Sequence, residues 1–145
     1  MPGNEAVVRR YFDGCESGDA KTIESTLDPD VVHYFLARDQ APIRGADQLA
    51  RFFSKMKAAL NAHWAIDHAI SAGDEVVLEW SLYWTHPELG TRLVNRGTDW
   101  YVLRDSKIRE VRAYNYFPAS TPLIESDSEL TGFPYNDRAY LTEPS

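Results

Sequence analysis

The sequence has little cysteine, a shortage of positive charge and no long apolar run, and each of these excludes a class of protein. Cys15 is the one cysteine in 145 residues, so no internal disulfide can form. With 15 Lys and Arg against 22 Asp and Glu, the net charge is −7, which argues against nucleic acid and anionic membranes as partners. No apolar run approaches the ~20 residues of a membrane span, and the N-terminus lacks the pattern of a signal peptide. We therefore predict a cytoplasmic protein.

Several chemical motifs are also missing. There is no glycine-rich phosphate loop, no G-x-S-x-G elbow and no paired C-x-x-C, so nucleotide cofactors and serine hydrolysis are not indicated. The four histidines show no metal-ligand spacing, and we expect neither a metal nor another cofactor. Cys15 is expected to be a buried helix residue, because no neighbouring group identifies it as a nucleophile.

Apolar residues at helical spacing predict three helices in the first half of the chain. Residues 4–17 form the first, and Asp19 caps a short second helix that carries Ile23 and Leu27. The third and clearest helix opens at Gly45, with an apolar stripe from Leu49 to Leu60.

Alternating apolar residues predict the strands, with a turn at residues 28–30 before the first of them. The predicted strands cover residues 31–36, 62–71, 75–86, 91–104 and 108–117. The last four are joined by short turns and must therefore be antiparallel. This order predicts one α+β domain over residues 1–117, with a curved sheet around a central pocket. High aromatic content, with four Trp and eight Tyr, favours an aromatic lining.

The remaining residues, 118–145, have a different composition. They hold four of the eight prolines and five acidic residues against one arginine, which accounts for −4 of the net charge. A solvated tail is one interpretation. Apolar residues at 132–135 and 140–141 favour the other, an extension that packs on the domain or on a partner.

Motifs in a fixed order resemble the nuclear transport factor 2-like superfamily, and its SnoaL-like and ketosteroid-isomerase-like members in particular. The motifs that carry the resemblance lie at residues 10–12, 17–19, 28–32, 42–45, 72–76, 84–86, 97–99 and 107–114. The resemblance implies a cone-shaped antiparallel or mixed sheet, with three helices closing a pocket. Members include isomerases, dehydratases, cyclases, epoxide hydrolases and proteins that only bind, so fold alone does not settle function.

The resemblance also implies site residues. Tyr11 and Asp99 match the two oxyanion donors of ketosteroid isomerases, where a buried aspartic acid stays neutral and donates, a pair that is an established example of this chemistry. The general base of those enzymes falls at Phe35. The arginine and second carboxylate of the epoxide hydrolases fall at Gly97 and Ala113. Each known set of catalytic residues is therefore incomplete in this chain.

His33 is the remaining candidate base. Residues alternate along a strand, so His33 shares a face with Phe35, and a histidine near its ordinary pKa of about 6.5 suits proton transfer at neutral pH. We hypothesise that His33 and Asp99 form an acid–base pair across the cavity. The substrate-binding residues predicted beside them are Asn115, Phe35, Trp64, Phe53, Tyr101, Val111 and Ala113. The alternative for each polar residue is a structural role in the core.

We accordingly predict a cofactor-independent enzyme that moves a proton on an apolar, cyclic or aromatic metabolite, as isomerase, dehydratase or cyclase. A non-catalytic module that binds a small ligand or another protein is the alternative. The last two strands are apolar on both faces, which predicts a homodimer through the outer sheet face.

Overall fold

The computed structural model describes residues 3–36, 40–115, 121–122 and 143–144. The helices are α1 (Asn4–Ser17), α2 (Ala20–Ser25) and α3 (Ala46–Leu60). The strands are β1 (Leu27–Tyr34), β2 (Ile43–Arg44), β3 (His63–Ala72), β4 (Glu75–Thr85), β5 (Arg92–Arg104), β6 (Lys107–Asn115) and β7 (Thr121–Pro122). No helix in the described part of the chain is long and apolar enough to cross a membrane.

The first two helices are separated by Gly18. Its φ of 74° lies in the left-handed region, and its N–H bonds to the Cys15 carbonyl, which ends α1. Asp19 then caps α2 by accepting a hydrogen bond from the Lys21 N–H at 3.0 Å. The prediction that Leu27 belongs to this helix was wrong, since Leu27 is the first residue of β1. The chain joins the sheet here because the carbonyl of Thr26 accepts the Ile108 N–H at 2.9 Å.

β1 begins earlier than the predicted strand at residues 31–36 and includes the predicted turn at 28–30. It pairs in parallel with β6, and its register shifts between Leu27 and Val32. This irregularity accommodates the Asp-Pro-Asp sequence within a strand, because a bulge leaves residues out of the ladder. β2 pairs with β1 and was not predicted.

The strands form one sheet in the order β2-β1-β6-β5-β4-β3, and β7 pairs with the N-terminal end of β5. The antiparallel succession of β3 to β6 is confirmed, with boundaries close to those predicted. The parallel pair β1–β6 makes the sheet mixed. Register shifts at Ile66/His68 and Val102/Leu103 are bulges, which bend strands. The predicted α+β cone, an unclosed curved sheet with three helices, is confirmed.

The core lies between the helices and the concave face of the sheet. Val8 of α1, Leu49 of α3 and Val76 of β4 are completely buried there. Burying an aliphatic side chain contributes about 1.5–3 kcal/mol, so this layer supplies much of the stability. The same contacts hold α1 and α3 above the sheet and fix the walls of the space between them.

The opposite face of the sheet carries a buried polar cluster formed by Asp67, Ser81 and Arg96. Arg96 pairs with Asp67 at 2.9 Å, and the two side chains are each 6% exposed. Ser81 donates to the same carboxylate at 2.6 Å. Burial raises the pKa of the Asp67 carboxyl, whereas Ser81 and Arg96 lower it. The cluster lies on the other side of β4 and β5 from the cavity described below.

Most of the segment 118–145 lies outside the described residues, so its predicted packing stays a prediction. Two short pieces of it contact β5. Thr121 pairs with Val94, and the Glu143 carboxylate pairs with the Arg92 guanidinium at 2.7 Å.

Candidate active site

One cavity of about 280 Å³ opens between α1, α3 and the concave sheet face. Eight of its 16 lining residues are Phe, Tyr or Trp. No Lys or Arg is among the described residues that line it, and Asp99 is the one carboxylate there. The walls therefore suit an uncharged apolar ring.

Eight of the ten predicted site residues line this cavity: Tyr11, His33, Phe35, Phe53, Trp64, Asp99, Tyr101 and Ala113. Val111 does not. It is fully buried in the core, where it pairs with Tyr101 of β5 and His33 of β1. The side chain of Asn115 lies outside the described residues.

Asp99 sits on β5 with its carboxylate held by two donors. The indole Nε1 of Trp80 donates to Oδ1 at 2.8 Å, and the hydroxyl of Tyr101 donates to Oδ2 at 2.7 Å. Burial raises the pKa of Asp99 from 3.8 to about 6, and the two hydrogen bonds oppose this rise. The carboxyl is therefore mostly ionised at pH 7, which differs from the neutral donor expected from the sequence.

The Trp80 indole reaches Asp99 because its cross-strand neighbour is Gly97. A Cβ on Gly97 would lie 2.4 Å from Cζ2 of Trp80, well inside van der Waals contact. Any side chain there would displace the indole. The absence of an arginine at Gly97 thus leaves room for the ring that holds Asp99.

Tyr11 places an unsatisfied hydroxyl in the cavity. Its ring packs edge-on against Phe12, Phe53 and Tyr101, with centroids 6.0–6.1 Å apart. The hydroxyl is buried, and its one described hydrogen-bonding neighbour is the Cys15 thiol one turn away, a weak hydrogen-bonding partner. Burial raises the pKa of both Tyr11 and Cys15, so neither is ionised at pH 7. Tyr11 is therefore a protonated donor with only the weakly accepting Cys15 thiol beside it, and Cys15 is not a nucleophile.

His33 is buried against Phe35 and Phe53, with ring centroids 4.5 and 5.5 Å away. Its Nδ1 makes no hydrogen bond to any described residue. Burial lowers its pKa from 6.5 to about 4, so the imidazole is neutral at pH 7. The expectation of an ordinary histidine pKa was wrong, because the aromatic walls remove water from the ring. His33 and Asp99 share the cavity, but Asp99 makes its hydrogen bonds with Trp80 and Tyr101.

Two polar contributors to the cavity, Trp80 and Asn95, were not among the predicted site residues. The alternation of residues along β4 could have indicated a role for Trp80, because it placed Trp80 and Trp84 on one face of the strand. Their partners depend on the β4–β5 register, which the sequence does not specify. Asn95 lines the cavity and accepts the Nε1 proton of Trp84 at 3.1 Å.

Comparison with known proteins identifies the family and relatives that share the fold. The family model described as SnoaL-like domain matches residues 8–111. The chain belongs to the SnoaL-like family. The match spans α1 to the middle of β6 and so contains every cavity residue named above except Ala113. No match was found among curated proteins.

Solved structures share the fold. A protein of unknown function with a cystatin-like fold from Methylobium petroleophilum is 26% identical, with a TM-score of 0.70, covering 98% of this chain and 93% of that chain. An LEH-like epoxide hydrolase from M. tuberculosis is 18% identical, with a TM-score of 0.67, covering 77% and 80%. A proposed SnoaL-like polyketide cyclase from Jannaschia is 20% identical, with a TM-score of 0.66, covering 77% and 84%. The last two identities are low and show the fold alone.

Proposed function

We propose that this protein is a cofactor-independent enzyme that moves a proton on an uncharged, cyclic or aromatic small molecule, with Asp99 as the base. The observation that carries the proposal is a buried carboxylate in an aromatic cavity, with a pKa of about 6. A base works best when its pKa lies near the working pH. The SnoaL-like family, with solved neighbours named as an epoxide hydrolase and a proposed polyketide cyclase, supports small-molecule chemistry in general.

Asp99 keeps the capacity to accept a proton although Trp80 and Tyr101 hold it. A carboxylate has about four lone-pair positions, and the two hydrogen bonds occupy two of them. In the proposed step a C–H bond beside a substrate carbonyl breaks and the proton passes to Asp99. The electron pair moves into the enolate, whose oxygen accepts a hydrogen bond from the Tyr11 hydroxyl. Return of the proton to another carbon completes an isomerisation. In a dehydration the enolate electrons instead form a C=C bond as the β-C–O bond breaks, and Asp99 returns its proton to the leaving oxygen, which departs as water.

His33 takes a different role from the one expected. With a pKa of about 4 it is a neutral hydrogen-bonding group at pH 7, and we assign it to substrate orientation. The phenyl groups of Phe35 and Phe53 around it, with Trp64 of β3, form the apolar wall.

The proposal is tested by finding a ligand and then removing the base. A thermal-shift screen of uncharged aromatic, steroid, terpenoid and polyketide-like compounds would reveal binders, since a ligand at 100 times its Kd adds about 2.7 kcal/mol. Asp99→Asn should then keep binding and lose turnover. Asp105→Asn, in the exposed β5–β6 turn, is the matched control and should turn over normally. Full activity of Asp99→Asn would refute Asp99 as the base.

A non-catalytic binding module is the second candidate. It is favoured by the neutral state of His33, which leaves Asp99 as the one ionised group among the described lining residues at pH 7. A pH–rate profile separates the two. The enzyme should show kcat/KM rising through about pH 6, whereas a binding module shows no turnover with any ligand from the screen.

Dimerisation, a cytoplasmic location and the absence of a nucleic-acid partner stay predictions. For a homodimer through the outer sheet face, Ser81 and Tyr83 are already buried within the single chain. The open part of that face lies around Tyr114, which is 49% exposed, and Trp100, which has Arg112 5.4 Å above its ring. A monomeric mass in light scattering at micromolar concentration would count against the dimer.

A further inference from the structure

The two indoles on the concave face of β4 make the same kind of contact with β5. Trp80 lies opposite Gly97 and donates to Asp99, two residues further on. Trp84 lies opposite Leu93 and donates to Asn95, again two residues further on. Diagonal neighbours of this kind are within reach of long aromatic side chains. Each indole therefore fixes one polar side chain in the cavity.

The contact with Trp84 determines which way the Asn95 amide points. An indole N–H can only donate, so the atom of Asn95 that faces it must be the oxygen, Oδ1. The amide nitrogen Nδ2 is then the atom of Asn95 that the indole does not engage, on a side chain that lines the cavity. No described residue accepts a hydrogen bond from it. Asn95 thus has a donor group available to a ligand that reaches this part of the cavity.

Asn95 lines a more exposed part of the cavity than the proposed base does. Tyr11 and Asp99 are 2% and 6% exposed, whereas Asn95 and Trp84 are partly exposed. Residues 95 and 99 lie on the same face of β5, four residues apart. At 3.3 Å per residue their backbones are about 13 Å apart. The deep end holds the carboxylate and the mouth holds the amide.

We propose that Asn95 is a specificity-determining residue that binds an acceptor oxygen of the ligand at the cavity mouth. This rests on the proposed function, because it assumes that the ligand also reaches Tyr11 and Asp99. The ligand class is then narrower than a single apolar ring. It is an elongated, uncharged molecule of two or more rings with an oxygen function near each end.

The test uses two naphthalenes that differ by one acceptor. 2,6-Diacetylnaphthalene carries a ketone at each end, and 2-acetylnaphthalene carries one. The wild-type protein should bind the diacetyl compound about three- to tenfold more tightly, the worth of one additional hydrogen bond. Kd is measured by tryptophan fluorescence and checked by calorimetry.

Three substitutions test whether Asn95 causes this preference. Asn95→Leu should abolish it, with little change in the Kd of 2-acetylnaphthalene. Trp84→Phe should reduce it, because the amide is then free to rotate. Asn95→Asp retains the indole contact but should disfavour the diacetyl compound, because a carboxylate oxygen would face the ketone.

The outcomes separate this inference from the proposed function. Equal affinity of wild type for both compounds, or a preference that survives in Asn95→Leu, overturns the role of Asn95 and leaves the aromatic cavity as a ligand site. Binding of neither compound overturns the ligand class of the proposed function, and the role of Asn95 falls with it.

Discussion

Replacing Trp80 by Phe is the sharpest test of how the Asp99 carboxylate is controlled. The substitution keeps an aromatic ring against Gly97 but removes the N–H that donates to Oδ1 at 2.8 Å. This hydrogen bond favours the ionised carboxyl, so its loss should raise the pKa of Asp99 above about 6. Tyr101 would remain as the donor to Oδ2.

The size of the change follows from the hydrogen bond. A hydrogen bond to a charged group contributes about 1.5–3 kcal/mol, and one pH unit corresponds to about 1.36 kcal/mol. The pKa of Asp99 in Trp80→Phe should therefore reach about 7 to 8. At pH 7 the carboxyl would change from mostly ionised to half or more neutral. If Asp99 is the base, kcat/KM at pH 7 falls while its value at pH 9 is largely restored.

The assay is an NMR titration of the Asp99 side-chain carboxyl carbon, which needs no substrate. Trp84→Phe is the matched control, because it removes an indole donor from the same strand but leaves Asp99 untouched. An unchanged Asp99 titration in Trp80→Phe would refute the argument. So would an equal rise of the pKa in both variants, since that would reflect a general loosening of the cavity.

Three further changes test other parts of the molecule. Tyr11→Phe removes a buried hydroxyl whose one described partner is the weakly accepting Cys15 thiol, and should raise the free energy of unfolding in urea by about 1 kcal/mol while weakening ligand binding. Arg96→Leu takes the guanidinium away from the buried Asp67 carboxylate and should lower that free energy by about 3–5 kcal/mol. The pKa of Asp99 is higher in the folded chain than its ordinary value of 3.8, so the contribution of Asp99 to stability is fullest below pH 4 and is lost as pH rises through about 6. Asp99→Asn should escape this loss, which reaches about 3 kcal/mol at most, and urea midpoints at pH 4 and pH 8 would reveal it.

Local patterns predicted most of the fold. The apolar stripes of α1 and α3 and the alternation of β4 depend on residues close in sequence, so they could be read directly. The pairing of β1 with β6 could not, because it joins segments about 80 residues apart and tolerates Asp-Pro-Asp only through a bulge. The assignment of Leu27 to the second helix was wrong for the same reason, since its strand partner Ile108 is distant in the chain.

The sequence predicted which residues line the cavity better than it predicted their protonation states. Tyr11, Asp99 and His33 all line the cavity, as strand alternation and the family resemblance led us to expect. Their protonation states followed from contacts that a sequence does not specify. Phe35 and Phe53 dehydrate His33, and the diagonal reach of Trp80 depends on the β4–β5 register and on the space above Gly97.

Ionised Asp99 lowers the stability of the folded chain, and this loss favours a catalytic role for the cavity over simple binding. An apolar cavity that only held a neutral ring would be more stable at pH 7 with an uncharged residue at this position, because burial opposes ionisation of the carboxyl. Trp80 and Tyr101 do not neutralise Asp99. They lower its pKa and so maintain a carboxylate at neutral pH that burial alone would protonate more fully. A buried group that is held ionised, with its remaining lone pairs facing an aromatic space, is suited to take a proton from a ligand that water cannot reach.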